Sequence, residues 1–405
     1  MDTCQWDNEH HLLVINRTGS GEIFHLPVDE THSYLLKGKP TVEEWDATSR
    51  VSDFGVAVCD GCLYIIGGFN KIDKKYLSRV MCFDPRYSVW TEKKSLLAPR
   101  AKFSTAIFED KIYVAGGEKG PGKYTASTES YNPATNEWTK SGMLPEGRLY
   151  HDMSPVLSYL CTSGGINMGQ VNDNIWLYER HNWTNLDDDY PQTLQWPTYK
   201  HSMLTIDDRV YFIGGIQEKE DDRGNKYQVA STSVQSFRPV VPVTEETDLK
   251  DDNKDDIPEE EEGSTYGLQE DLICPWERHP SLPRLKHGRH SSGAVVLGST
   301  IHVFGGTDMN GECVRQGECI DLETRKREES VFIRKGNVAD VVCAILRYGP
   351  DKSSYELQIH SNISHRDRDS NTDRDSKSTD NNSERNSDRS HSAGSVLQPK
   401  GWIMW

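Results

Sequence analysis

The chain has 405 residues with 63 acidic and 46 basic side chains, a net charge of −17 that argues against general affinity for nucleic acid. No apolar run approaches the roughly 20 residues that a membrane span needs, and the opening Met1-Asp2-Thr3-Cys4-Gln5-Trp6-Asp7 lacks the features of a signal peptide. Nine cysteines without framework spacing then fit reduced thiols in the cytoplasm.

In chain order, Leu12-Leu13-Val14-Ile15 and residues 22–26 read as two short strands, with Tyr34 beyond them. Regularity begins near Asp53, where a run to Cys59 is followed by the turn Asp60-Gly61 and a second run ending in Gly67-Gly68. The unit over residues 102–142 shows the pattern most fully. An apolar run over 103–108 meets the turn Glu109-Asp110-Lys111, and Ile112-Tyr113-Val114-Ala115 then runs into Gly116-Gly117 and a glycine-rich loop. Glu129-Ser130-Tyr131 leads to the turn Asn132-Pro133-Ala134-Thr135-Asn136, and Glu137-Trp138-Thr139 closes the unit. β-Branched and aromatic runs divided by such turns predict four antiparallel strands. One unit of this kind cannot bury both of its faces.

Further copies follow. Glycine pairs stand at Gly67-Gly68, Gly116-Gly117, Gly164-Gly165, Gly214-Gly215 and Gly305-Gly306, so the first glycines are 49, 48, 50 and 91 residues apart. The last interval is one period plus an insertion. Trp90, Trp138 and Trp183 follow their second glycines by 22, 21 and 18 residues, and Trp276 takes that role past the insertion. A repeat of about 50 residues with a double glycine and a later tryptophan resembles the kelch repeat, the blade of a β-propeller.

The resemblance implies an all-β, six-bladed propeller over residues 1–349, with four-stranded blades near 12–45, 50–97, 100–144, 148–190, 198–282 and 287–334. Glycine is expected where strands crowd the axis, and tryptophan as the plate that fills the wedge between blades. The first blade is degenerate, with Asn16-Arg17 at the place of the glycine pair. Its missing strand is expected from residues 338–348, which would close the ring. In blade six Lys326 or Arg327 stands where the tryptophan belongs. Residues 245–262 hold eleven acidic and two basic side chains, so 242–268 is expected to be a disordered acidic insertion in blade five. The Arg, Asp, Ser and Asn alternation over 365–392 makes 350–405 a low-complexity tail.

In proteins of the kelch type, the starts of the first strands and the positions after the glycine pairs commonly line one mouth of the channel. Counting by period assigns Asp53, Lys102, Tyr150, Lys200 and Ser291 to the strand starts, and Phe69 and Glu118 to positions after the pairs. Arg50, Arg100, Arg148 and Arg289 precede the same strands and are expected beside them, making a mixed mouth suited to an acidic or polar peptide segment. His151, His201 and His290 recur nearby and are read as structural, and the Cys59-x-x-Cys62 spacing lacks a second ligand pair. No nucleophile elbow, phosphate loop or carboxylate pair stands in a supporting context, so neither an enzyme nor a cofactor is expected. The expected role is protein binding. Similar propellers are the substrate-recognising halves of adaptors for cullin-RING ubiquitin ligases, others bind actin, and a kelch-type sugar epimerase or oxidase is the less favoured alternative. With no room before Leu12 for the BTB and BACK domains of those adaptors, the chain is expected either to act as a stand-alone scaffold, to assemble with a partner or to be incomplete at its start.

Overall fold

The computed structural model describes residues 10–29, 35, 41–44, 50–184, 193–239 and 282–347, and every regular element among them is a strand or a bridge. The expected acidic insertion, the tail, Tyr34 and Trp276 lie outside the described residues.

Six sheets follow the repeat. The second, third, fourth and sixth each hold four antiparallel strands, and three strands of the fifth are described. In blade three these are Ser104–Phe108, Lys111–Ala115, Ser127–Asn132 and Glu137–Met143, paired in sequence order. The second strands are buried except at the first residue of some, because they lie between two neighbours and two blades, which explains their apolar runs. The first strands Gly55–Cys59, Ser104–Phe108, Asp152–Val156, Ser202–Ile206 and Gly293–Leu297 each touch the next. Val341–Arg347 completes the cycle by touching Gly293–Leu297 on one side and Gly55–Cys59 on the other.

Blade one is built from both ends of the chain. His10–Asn16 pairs antiparallel with Val341–Arg347 and with Glu22–Val28, and Thr41–Glu44 lies outermost. Here the strand ends at Asn16 and the chain turns over residues 17–21 without a glycine pair. Arg17 N–H donates to Asp340 O at 2.8 Å, and its guanidinium meets the Asp340 carboxylate at 2.7 Å, pinning the splice at its inner end.

The glycine pairs do more than thin out the axis. All ten glycines have positive φ, a region open to glycine but costly for other residues. The second glycine of each pair donates its N–H to the segment entering the next blade: Gly68 to Arg100 O, Gly117 to Arg148 O, Gly165 to Thr198 O, Gly215 to Arg289 O and Gly306 to Val338 O, at 2.7 to 2.9 Å. A Cβ on Gly164 would stand 2.2 Å from Thr198 O. Bare backbone is therefore needed where one blade receives the next, rather than at the axis itself.

The tryptophans act as expected in blades three and four. Trp138 is buried and its Nε1–H donates to Lys94 O of blade two at 2.8 Å, while Trp183 donates to Thr128 Oγ1 of blade three at 2.9 Å. Each tryptophan also lies against an aromatic directly across its strand pair, Phe83 for Trp90, Tyr131 for Trp138 and Tyr178 for Trp183, with ring centroids 5.1 Å apart in all three. In blade six Arg327 stands opposite Ile320, the register of Trp138 opposite Tyr131, so arginine does replace the indole there.

Replacing Gly164 by Ala is expected to cost about 3 kcal/mol or more, because positive φ and overpacking add. Gly169→Ala, also at positive φ but with open space around it, is expected to cost about 1 kcal/mol. Urea unfolding of the two variants side by side measures the difference, and equal costs would refute the docking role of the pair.

Candidate functional site

The first strands begin and the second strands end on the same face of the ring, so that face carries five loops and the segments entering each blade. At its centre the backbone forms a closed circuit. Asp53 N–H donates to Arg17 O, Lys102 to Asp53 O, Tyr150 to Lys102 O, Lys200 to Tyr150 O, Ser291 to Lys200 O and Val341 to Ser291 O, all at 2.8 to 3.1 Å. The Arg17 to Asp340 bond joins the two ends of that series. Asp53, Lys102, Tyr150, Lys200 and Ser291 all hold φ between 54° and 58°, a conformation that turns each side chain toward the axis.

These five assigned residues line one axial cavity of about 40 Å³ together with Arg17, Phe103, His151, His201 and Asp340. That volume accepts a few waters and no organic ligand. The Lys102 ammonium pairs with Glu118 at 2.8 Å and lies 5.6 Å from the Tyr150 ring; the Lys200 ammonium lies 4.8 Å from the same ring. Burial, helped by Asp53, pushes the Tyr150 hydroxyl up to about 12. Desolvation opposes the charge on Lys102 most strongly, but the bond to Glu118 and the negative field of Tyr150, Glu118 and Asp53 together outweigh it and raise the pKa. Lys200 has no such bond, and desolvation lowers its pKa. Glu118 is buried and also accepts from Gly122 N–H at 2.9 Å, so it braces the blade-three loop. Phe69 is half-buried against Tyr76, with centroids 5.1 Å apart.

The arginines require a correction. Arg100, Arg148 and Arg289 were expected at the mouth, yet all three are fully buried. Each sits two residues before an axial residue and donates Nη1–H to the carbonyl of its own blade's first glycine: Gly116 at 3.1 Å, Gly164 at 2.8 Å and Gly305 at 3.1 Å. Arg100 pairs with buried Glu129 and Arg289 with buried Glu318, while Arg148 pairs with Glu146 at 2.9 Å and lies over Trp176 at 3.5 Å. Burial works against these guanidinium charges and lowers all three pKa values, and the carboxylates offset part of that cost. Arg50, three residues before Asp53, falls out of this register and is exposed. The planar fork explains the burial: in Arg100 and Arg289 it reaches a glycine carbonyl, a further carbonyl and a carboxylate at once, and in Arg148 a glycine carbonyl and a carboxylate.

His151 and His201 close the same joints. The Cε1 atom of each lies against a first glycine of the preceding blade, and His201 Nε2 meets Ser163 Oγ at 2.9 Å. Burial pushes His201 down to about 4. Cys59 and Cys62 face each other across the Asp60-Gly61 turn inside the core shared by blades two and three. Among the described residues no group of three or more His, Cys, Asp or Glu could hold a metal ion.

Sequence reasoning missed Arg17, Asp340 and the loop tips. Arg17 occupies the place of the second glycine in the degenerate blade, and Asp340 immediately precedes the strand from the far end, so both could be reached by the counting that found Asp53. The tips carry large exposed apolar side chains: Ile72 is 58% exposed in blade two, Met168 86% in blade four, Tyr227 48% in blade five and Met309 49% in blade six. They surround a charged centre.

Comparison with known proteins adds the following. A family model described as the KLHDC2/KLHL20/DRC7 Kelch-repeats domain matches residues 36–220, and one described as the Kelch motif matches 288–329. Kelch-like protein 36 of Mus musculus is 30% identical over 218 residues, covering 52% of this chain and 34% of that protein. Beta-scruin of Limulus polyphemus is 24% identical over 272 residues, covering 61% of this chain and 24% of that protein. The chain thus spans about a quarter to a third of the length of these relatives. The solved structure of YjhT superposes with a TM-score of 0.59 at 14% identity, covering 80% of this chain and 95% of that one, a likeness of fold alone.

Two outcomes test the buried groups. Arg100→Met is expected to cost about 3–5 kcal/mol because it strands Glu129, and adding Glu129→Leu is expected to restore most of that loss in chemical denaturation. His201 is neutral in the fold, whereas the unfolded chain takes a proton near the ordinary value of 6.5, so stability is lost as pH falls from about 6.5 to about 4. His201→Gln should remove up to about 3 kcal/mol of that acid dependence, read from urea midpoints across the window.

Proposed function

The chain is a member of the kelch-repeat family, and on that premise we propose that it is a protein-interaction module whose partner docks on the loop-bearing mouth. The exposed tips Ile72, Met168, Tyr227 and Met309 carry this reading. Ile72, Met168 and Met309 stand in the hairpin turns that follow the glycine pairs of three blades, and Tyr227 lies on the strand that returns from the longer hairpin of blade five, so large apolar side chains are held in water on the same side of four blades. The axial cavity is too small for an organic ligand, which moves recognition from the channel to its rim. Lys102, Lys200, Asp53, Tyr150 and Ser291 supply the polar centre, with Phe69, Glu118 and Arg50 at its edge.

The resemblance to ligase adaptors extends the proposal: the captured partner is a substrate presented to a cullin-RING ubiquitin ligase. Family membership supports this extension, and the finding that fold and function separate readily makes its test necessary.

A photo-reactive side chain placed at Ile72, Met168, Tyr227 or Met309 is expected to cross-link the same partner in native cells. The same group at Leu157 or Asp207, on the turns of the opposite face, is expected to leave it free. Equal labelling from both faces would overturn the mouth as the interface. For the ligase extension, depletion of this protein is expected to lengthen the partner's lifetime, and an unchanged lifetime would remove that extension while leaving the interface standing.

A further inference from the structure

Resting on the mouth as interface, we infer that the docked segment is acidic and that it seats on the arc of loops from blades two and three. Loops 67–79 and 116–126 carry six basic side chains against two acidic ones, Asp73 and Glu118. The equivalent loops of blades four, five and six, 164–174, 214–233 and 305–315, carry four basic against seven acidic. The loops leave matching strand ends in every blade, so nothing in the fold dictates the sign. In a chain of net charge −17, composition works against a basic arc.

Three of these six cations are also available to bind, whereas Arg79 pairs with Glu92 and Lys71 and Lys119 donate to Thr18 O and Ser127 Oγ. Lys74, Lys75 and Lys123 are exposed, and among the described residues none of their ammonium groups has an ion pair. At the centre Lys102 is taken by Glu118 and Arg17 by Asp340, whereas Lys200 is held only beside Tyr150 and the more distant field of Asp340 and Asp53. The Lys200 ammonium adds its field from below the rim without being committed to a carboxylate of its own. Ile72 at the tip of the lysine-bearing loop adds an apolar contact. The chemistry thus fits an extended acidic segment interrupted by an apolar residue. Each exposed lysine contributes little alone, so binding is additive over the arc and sensitive to salt.

The test uses the full chain and two labelled peptides, one of glutamates around a central leucine and one with lysine in place of glutamate, followed by fluorescence anisotropy. Joint Lys74→Glu, Lys75→Glu and Lys123→Glu is expected to weaken the glutamate peptide by about tenfold or more, and raising salt from about 50 to about 300 mM to do the same. Joint Lys219→Glu, Arg223→Glu and Lys226→Glu in blade five, an equal change of charge, is expected to act by less than about twofold. Preference for the lysine peptide, lost on a blade-five change, would overturn the acidic assignment and keep the mouth as interface. Failure of both peptides, or insensitivity to both sets of changes, would overturn the assignment and count against the mouth as well. A short DNA duplex bound more tightly than the glutamate peptide on the same arc would make it a polyphosphate site. A dimer in sedimentation that the arc changes dissolve would make the occupant a second copy. Either of these also overturns the assignment.

Discussion

Everything in this ring hangs from the backbone circuit around its axis. Each first strand enters through a residue whose N–H reaches the carbonyl of the preceding one, and the loop from Asp53 through Lys102, Tyr150, Lys200 and Ser291 closes through Asp340 and Arg17. The bond demands left-handed backbone at five side-chain-bearing residues, a strain the fold tolerates because both neighbours over-determine it. A positive φ aims the side chain inward, so the constraint that closes the ring is also what brings five side chains from distant parts of the sequence to one point. Structure and candidate site share a single cause.

The double glycines are a second layer of the same joint. Their turns let one blade accept the strand-entry segment of the next, and three arginines cap the turns from behind. Guanidinium groups are used as internal bolts, whereas the lysines are left on the rim. The division follows from geometry: a rigid fork satisfies several buried acceptors, while a hydrated ammonium on a flexible stem is costly to bury. A change from Arg to Lys at position 100 would therefore alter the joint more than the charge.

The periodicity of Gly67-Gly68 through Gly305-Gly306 made the blades legible, because blades two to six each use a double glycine to receive the next and chemistry recurs with it. The strand completing blade one was legible too, since an apolar run after the sixth repeat has no partner nearby in sequence. The axial residues could be counted out for the same reason. What the residues could not announce was the depth of Arg100, Arg148 and Arg289. A basic residue before a strand reads as solvent-facing unless its acceptors are known, and Glu129 and Glu318 lie 29 residues downstream of Arg100 and Arg289. The exposed tips were illegible because loop length and aim depend on ribbons such as Ile216–Glu220 with Lys226–Ala230, whose pairing is set by tertiary context.

The splice in blade one also bears on biosynthesis. Translation proceeds at about 5–20 residues per second, so His10–Asn16 emerges on the order of tens of seconds before Val341–Arg347 is made. During that interval a strand whose side chains from His11 to Asn16 are all buried in the finished ring has no inner neighbour. The nascent polypeptide consequently presents an unpaired, apolar strand margin until the last strand of the ring arrives.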